Sequence, residues 1–248
     1  MGHARIVCAL AAMFAALMTF GCGGGQVVNQ AVNPEGTAQL RVVQASSQYP
    51  SVSVSVDGAV LTSSVDYQAQ SNYSPVPSGA RHVILEPTAG TKAPAVDATI
   101  TLSPDTNNTL VPNGFGFSTG YAMLLDDTTP AADSGVKLRI LNFSPLEVDA
   151  YVVPEGTAPN GKPALSALCT YPACTSEQQK YLSLSPGTYD IEITTAGKTQ
   201  IVYAKTKVTI ESGQNRTLLL VPNCPVCTGP VCVCNQDVLT SLLLNDLN

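Results

Sequence analysis

Residues 40–46 read LRVVQAS, and residues 138–144 read LRILNFS. Each is followed by a stretch alternating apolar and polar positions: Val52, Val54 and Val56 in the first copy, Val148, Ala150 and Val152 in the second. An acidic-Gly turn comes next, Asp57-Gly58 or Glu155-Gly156. YSPVPSG from Tyr73 then matches YLSLSPG from Tyr181, and both copies carry Thr-Ala-Gly, at 88–90 and 195–197. They close with TITLSPDTNNTLVPN from Thr99 and KVTIESGQNRTLLLVPN from Lys207. Blocks recurring in one order mark two tandem copies of a single fold.

That fold reads as all-β. Runs of four to eight residues rich in Val, Ile, Thr and Tyr are separated by Gly, Pro, Asn and Asp. In residues 51–56 one face is three valines and the other three serines, so one side packs and the other is wetted. Asp57-Gly58 suits a tight hairpin, because both central positions of such a turn need positive φ. Short strands with frequent turns predict two tandem immunoglobulin-like β-sandwich domains. A helical period is conceivable only at 238–247.

The succession LRVVQAS, VSVSVDG, VPSG and LLDDTTP before a second LRILNFSP resembles the domain of unknown function 4397 family. The resemblance covers roughly residues 39–223. It implies immunoglobulin-like sandwiches, often in tandem, in secreted and surface proteins. It implies no activity and no functional residues. The second copy departs from the pattern by inserting a Cys-bearing loop around 160–179.

Outward from the repeats, the N-terminus carries Arg5, an apolar run over residues 6–20, and Gly21-Cys22 before three glycines. This order reads as a secretory signal ending at a cysteine that accepts lipid. The run is too short to span a bilayer as a helix, which needs about 20 residues. The expected organisation is a lipoprotein-type signal peptide at 1–21, a flexible tether at 22–36 and a sandwich at 37–127. A linker at 128–135, a second sandwich at 136–223 and a Cys-rich tail at 224–248 complete it. The location implied is the extracytoplasmic cell envelope, with Cys22 anchoring the chain to a membrane, the outer one in a Gram-negative cell.

Charge excludes some partners. The formal net charge is −6 and only 12% of residues are charged. No basic run exists to neutralise phosphates, so nucleic acid is not expected as a partner. A surface protein or a glycan remains, although the absence of Trp removes the flattest stacking platform. After the leader the one histidine is His82, in an expected strand, where a solvent-facing role outweighs that of a catalytic base. No phosphate loop or dinucleotide fingerprint is present, and no cofactor is expected.

Three constellations remain. Asp126 and Asp127, with Asp133 nearby, are oxygen donors of the kind calcium takes, but their spacing fits no known loop; solvated strand-end acids are the expectation. Gly114 to Ser118 (GFGFS) is an aromatic hairpin candidate. Six cysteines follow the leader and Cys22: Cys169, Cys174, Cys224, Cys227, Cys232 and Cys234. An even number in an exported chain predicts three disulfides, one closing the 169–174 loop and two in the tail. Zinc binding and free or redox-active thiols are the alternatives.

These features point to a non-catalytic structural or interaction role. A small-ligand or ion-binding module at the domain interface is the alternative, and an extracytoplasmic hydrolase is a distant third.

Overall fold

The computed structural model describes residues 36–90, 93–114, 120–168, 170, 180–228 and 231–247, with side chains at all of these except 225–237. Four four-stranded sheets account for the architecture. In the first repeat β1 (Thr37–Val42), β4 (Ser74–Pro77), β7 (Asn107–Asn113) and β8 (Gly120–Asp126) form one sheet, in the order β4-β1-β7-β8. Its partner sheet has the order β3-β2-β5-β6, from β2 (Ser51–Val56), β3 (Ala59–Asp66), β5 (Gly79–Pro87) and β6 (Val96–Leu102).

The second repeat copies this strand for strand. Here β9 (Val136–Asn142), β12 (Leu182–Leu184), β15 (Asn215–Thr228) and β16 (Val231–Asn245) form the sheet β12-β9-β15-β16. The sheet β11-β10-β13-β14 uses β10 (Val148–Pro154), β11 (Leu165–Leu168), β13 (Gly187–Thr195) and β14 (Ile201–Ile210). Both copies even share an unusual parallel pair. Arg41 lies opposite Thr109 across β1 and β7, and Arg139 opposite Thr217 across β9 and β15. The expected tandem β-sandwich is the observed fold.

Within each repeat, alternation fills a core between the two sheets. Leu40, Val42, Val52, Val54, Val83, Leu85 and Leu110 do this in the first. Leu138, Ile140, Val148, Ile191, Ile193, Leu218 and Leu220 do it in the second. The Asp57-Gly58 hairpin forms as expected, with φ of 50° and 81°. Asp57 secures it by accepting the His82 N–H at 2.9 Å and an Arg81 N–H at 3.0 Å.

A third core departs from expectation. The described residues pack as one compact unit. Val43, Val111, Ala122 and Leu124 of the first repeat meet Leu141, Phe143, Leu219, Val221 and Leu244 of the second. The sheets β4-β1-β7-β8 and β12-β9-β15-β16 therefore pack face to face, making a stack of four sheets. Strands inside such a stack are covered on both faces and read as continuous apolar runs rather than alternation. Leu218–Val221 does this: Leu218 and Leu220 enter the intra-repeat core, Leu219 and Val221 the inter-repeat one.

The C-terminal tail also differs. Residues 231–245 are β16, paired with β15 from Arg216↔Asn245 to Thr228↔Val231. The helical possibility at 238–247 gives way because Leu239 is needed in the second core and Leu244 in the third. The sheet takes in the stretch expected as a separate tail.

Candidate functional site: the charged seam between the repeats

The repeated motif explains itself once its side chains are followed. Leu40 and Leu138 enter the intra-repeat cores, while their neighbours Arg41 and Arg139 point the other way, into the seam. Gln44 and Asn142 brace the loops that follow. Gln44 donates to the Tyr49 carbonyl at 2.9 Å and accepts the Ser46 N–H; Asn142 donates to the Leu146 carbonyl at 2.6 Å and accepts the Ser144 N–H.

In the seam, both arginines are buried, only 2% and 1% exposed. Arg41 Nε donates to Thr109 Oγ1 at 2.7 Å, Nη1 to the Asn245 carbonyl at 2.7 Å and Nη2 to Asp246 Oδ1 at 2.6 Å. Arg139 repeats the pattern with the repeats exchanged. Its Nε donates to Thr217 Oγ1 at 2.9 Å, Nη1 to the Leu125 carbonyl at 3.1 Å and Nη2 to Asp126 Oδ1 at 2.5 Å.

The carboxylates are held from their own side. Tyr73 and Thr109 donate to Asp126 at 2.6 and 2.5 Å; Tyr181 and Thr217 donate to Asp246 at 2.9 and 2.6 Å. Each guanidinium also lies over the tyrosine ring of its own repeat, Arg41 at 4.5 Å from Tyr73 and Arg139 at 4.6 Å from Tyr181. The network is its own image under exchange of the two repeats.

Such a cluster is a fastener. Buried charges are tolerated when paired and fully hydrogen-bonded, and planar guanidinium forks suit that duty. Burial raises the Tyr73 hydroxyl pKa, and the Asp126 carboxylate raises it further. Burial raises that of Tyr181 despite the opposing Arg139 charge. Burial alone would weaken the Arg139 charge, but Tyr181, Asp126 and Asp246 more than offset it. Tyr73 and Tyr181 are thus held as protonated phenols and Arg139 as a charged guanidinium.

The seam extends to Tyr67 and Gln68, which both donate to the Pro222 carbonyl, at 2.9 and 3.2 Å. Asn215 Nδ2 donates to the Asp127 carbonyl at 2.5 Å and to the Thr129 carbonyl at 2.9 Å, securing the connection between the repeats.

The metal candidates are placed differently from a calcium loop. Asp126 turns inward to the arginines, and Asp127 pairs with Lys137 Nζ at 2.5 Å. Burial acts to raise the Asp127 pKa, but Lys137 and the Thr129 N–H bring it below the ordinary value. Asp133 sits in an exposed turn with φ of 51°. Among the described residues no three His, Cys, Asp or Glu side chains are grouped to hold a metal. The physical reason is that Asp126 and Asp127 already serve cationic partners.

His82 lies on an exposed strand with its Nε2 2.7 Å from Asp97, as expected of a solvent-facing position. Cys224 is buried with its Sγ 3.3 Å from Tyr67 Oη. Cys22, Cys169, Cys174 and most of the Gly114 to Ser118 hairpin lie outside the described residues, as do the side chains of Cys227, Cys232 and Cys234. Among the described residues no helix is long and apolar enough to cross a membrane.

Several hollows border this architecture among the described residues. One of about 510 Å³ lies beside the seam, lined by Gln39, Gln70, Asn72, Tyr73 and Asn245 among others. Another of about 320 Å³ lies on the outer sheet of the second repeat, lined by Tyr151, Pro159, Glu192, Thr194 and Ile201 among others.

The family model described as "Domain of unknown function (DUF4397)" matches residues 38–151, which bears out the resemblance carried by LRVVQAS and its companions. No curated protein matches the chain. Solved structures include a candidate cell adhesion protein from Parabacteroides distasonis, with 9% identity over 84% of this chain and 97% of that one and a TM-score of 0.24. A family 41 carbohydrate-binding module recognising alpha-glucan, from streptococcal virulence factors, has 13% identity over 73% and 92%, with a TM-score of 0.25. A candidate cell adhesion protein from Bacteroides fragilis has 8% identity over 84% and 97%, with a TM-score of 0.22.

Proposed function

We propose that the chain is an exported, lipid-anchored cell-envelope protein with a non-catalytic structural or interaction role. One observation carries the reading: the charged groups of the seam are engaged with each other, Arg41 with Asp246, Arg139 with Asp126, and Tyr73 and Tyr181 with those two carboxylates. The outer face of β2 carries hydroxyls on half-buried Ser51, Ser53 and Ser55. A fixed stack with polar outer faces displays surfaces rather than performing reactions. The leader and Cys22 support export and anchoring.

The test is fractionation of cells producing the full chain. Intact mass of the membrane-bound protein is expected to show a chain starting at Cys22 with acyl modification. Cys22→Ala is expected in the soluble extracytoplasmic fraction. A Cys22→Ala protein that stays fully on the membrane overturns anchoring.

The hollow beside the seam favours a second reading, ligand binding at the repeat boundary. Gln39, Gln70, Asn72 and Asn245 are among its lining residues, and amide side chains supply the paired donor and acceptor groups that a polar small molecule needs. A thermal shift with a polar metabolite library that is lost in Asn72→Ala supports this reading; no shift sinks it.

A further inference from the structure

The two repeats give an internal comparison, because their strands and registers correspond. Val54 pairs with Leu85 and Val56 with Val83 in the first repeat; Ala150 pairs with Ile193 and Val152 with Ile191 in the second. Ser55 of the first repeat is therefore the counterpart of Tyr151, and Ile84 that of Glu192. The connections differ too. Two residues, Asp57 and Gly58, join β2 to β3, whereas residues 155–164 join β10 to β11. This longer loop brings Pro159 and Gly161 to the outer sheet beside Tyr151.

The result is the hollow of about 320 Å³, near the lower end of volumes that hold small molecules. Its apolar lining residues are Tyr151, Pro159 and Ile201, the last 55% exposed. Its polar lining residues are Glu192, Thr194 and Thr199. Thr194 is only 5% exposed, and its Oγ1 has no hydrogen-bond partner among the described residues. A buried hydroxyl left unpaired costs free energy that a bound ligand can recover.

We propose that this hollow binds one ring of a neutral saccharide. A pyranose has an apolar C–H face, whose slightly positive hydrogens suit the negative face of an aromatic ring. Its edge carries vicinal hydroxyls that can donate together to a carboxylate such as Glu192. Thr194 and Thr199 can each give or take a hydrogen bond. Glu192 and the net charge of −6 disfavour an acidic sugar. The single carboxylate is too little for a divalent cation, which takes several oxygen ligands. The proposal rests on the surface-display reading and gives that surface a chemical partner.

The experiment is saturation-transfer NMR and titration calorimetry on the full chain, with methyl glycosides and short oligomers of glucose, galactose and mannose at millimolar concentration, and glucuronate as the acidic probe. At least one neutral saccharide is expected to bind, and glucuronate more weakly. Tyr151→Ser installs the first repeat's residue and is expected to weaken binding about tenfold or more, while Tyr151→Phe retains it. Thr194→Val is expected to weaken binding several-fold without lowering the melting temperature. Absence of binding by every neutral saccharide, equal binding by Tyr151→Ser, or preference for glucuronate overturns the proposal. A surface-located chain that binds none defeats this site alone; a cytosolic chain that binds saccharide defeats the display reading alone.

Discussion

Arg139 and Asp126 stand 13 positions apart in sequence yet belong to different repeats, and they meet at 2.5 Å with both side chains almost wholly buried. Arg41 and Asp246 form the mirror contact at 2.6 Å across 205 positions. One pair could have arisen from the short connection alone. Two crossed pairs require the sheets to face each other.

The first prediction concerns these pairs. Asp126→Asn keeps shape but leaves Arg139 short of its counter-charge, and is expected to destabilise the protein by about 3–5 kcal/mol. Asp246→Asn is expected to do the same to Arg41. Replacing Arg41, Asp126, Arg139 and Asp246 together with apolar residues of similar volume is expected to recover much of the loss. Urea unfolding of the single and quadruple variants measures this. Single variants within about 1 kcal/mol of the parent would show that the seam does not carry charge pairing.

A fragment of residues 34–127 would expose Arg41, Asp126, Val111 and Leu124, all buried in the whole chain. Its seam face is self-complementary, since Arg41 of one copy can meet Asp126 of another as Arg139 does. The expected behaviour is a β-rich homodimer whose melting temperature rises with concentration. Sedimentation equilibrium decides: a stable folded monomer would contradict the importance given to the third core.

Alkaline pH should loosen the seam. Burial pushes the Tyr67 hydroxyl up to about 12 and raises those of Tyr73 and Tyr181 as well. A folded-state pKa above the unfolded value near 10 favours the folded, protonated form. That contribution is complete below about pH 10 and is lost as pH rises through the folded values. Melting temperature is therefore expected to hold to about pH 9.5 and fall beyond it, with the phenolate absorbance of these three residues rising only on unfolding. Phenolate appearing at pH 10 in a still-folded protein, from these three residues, would refute it. Tyr67→Phe should shed part of the dependence.

The β15–β16 register makes the cysteine expectation more definite. Cys227 lies opposite Cys232, with Val226 opposite Val233 and Asn223 opposite Asn235. Opposed residues on antiparallel strands have Cα atoms about 4.5–5.5 Å apart, within reach of a disulfide. The expected pairing is Cys227 with Cys232 and Cys224 with Cys234, found by peptide mapping without reduction. Such short loops restrict little unfolded-chain entropy, so reduction should cost each at the low end of about 2–4 kcal/mol. Free thiols or bound zinc in that hairpin would reverse the expectation.

Much of this was legible beforehand. The repeat announced itself in LRVVQAS and LRILNFS, and alternation at Val52, Val54 and Val56 announced a half-buried sheet. The seam was not. Arg41 and Arg139 recur at the same motif position, as do Thr109 and Thr217, and Tyr73 and Tyr181. Recurrence alone does not say whether a shared arginine faces water or a partner. Asp126 was harder still, because the two acids in sequence, Asp126 and Asp127, look alike while pointing to different places, one into the seam and one to Lys137. The signal available was an apolar run without alternation, LLLV at 218–221, which demands cover on both faces. The outer hollow could not be seen in either repeat alone. It emerges from the difference between them, Ser55 against Tyr151.

The short connection between β8 and β9 has a consequence for how the stack behaves in solution. Two separate copies of such a module would meet by diffusion and come apart when scarce. Tethered through the nine residues 127–135, each faces the other at an effective concentration in the millimolar range. The crossed arginines thus close a joint whose occupancy does not depend on how much protein is present, and the whole chain should melt at one temperature however far it is diluted.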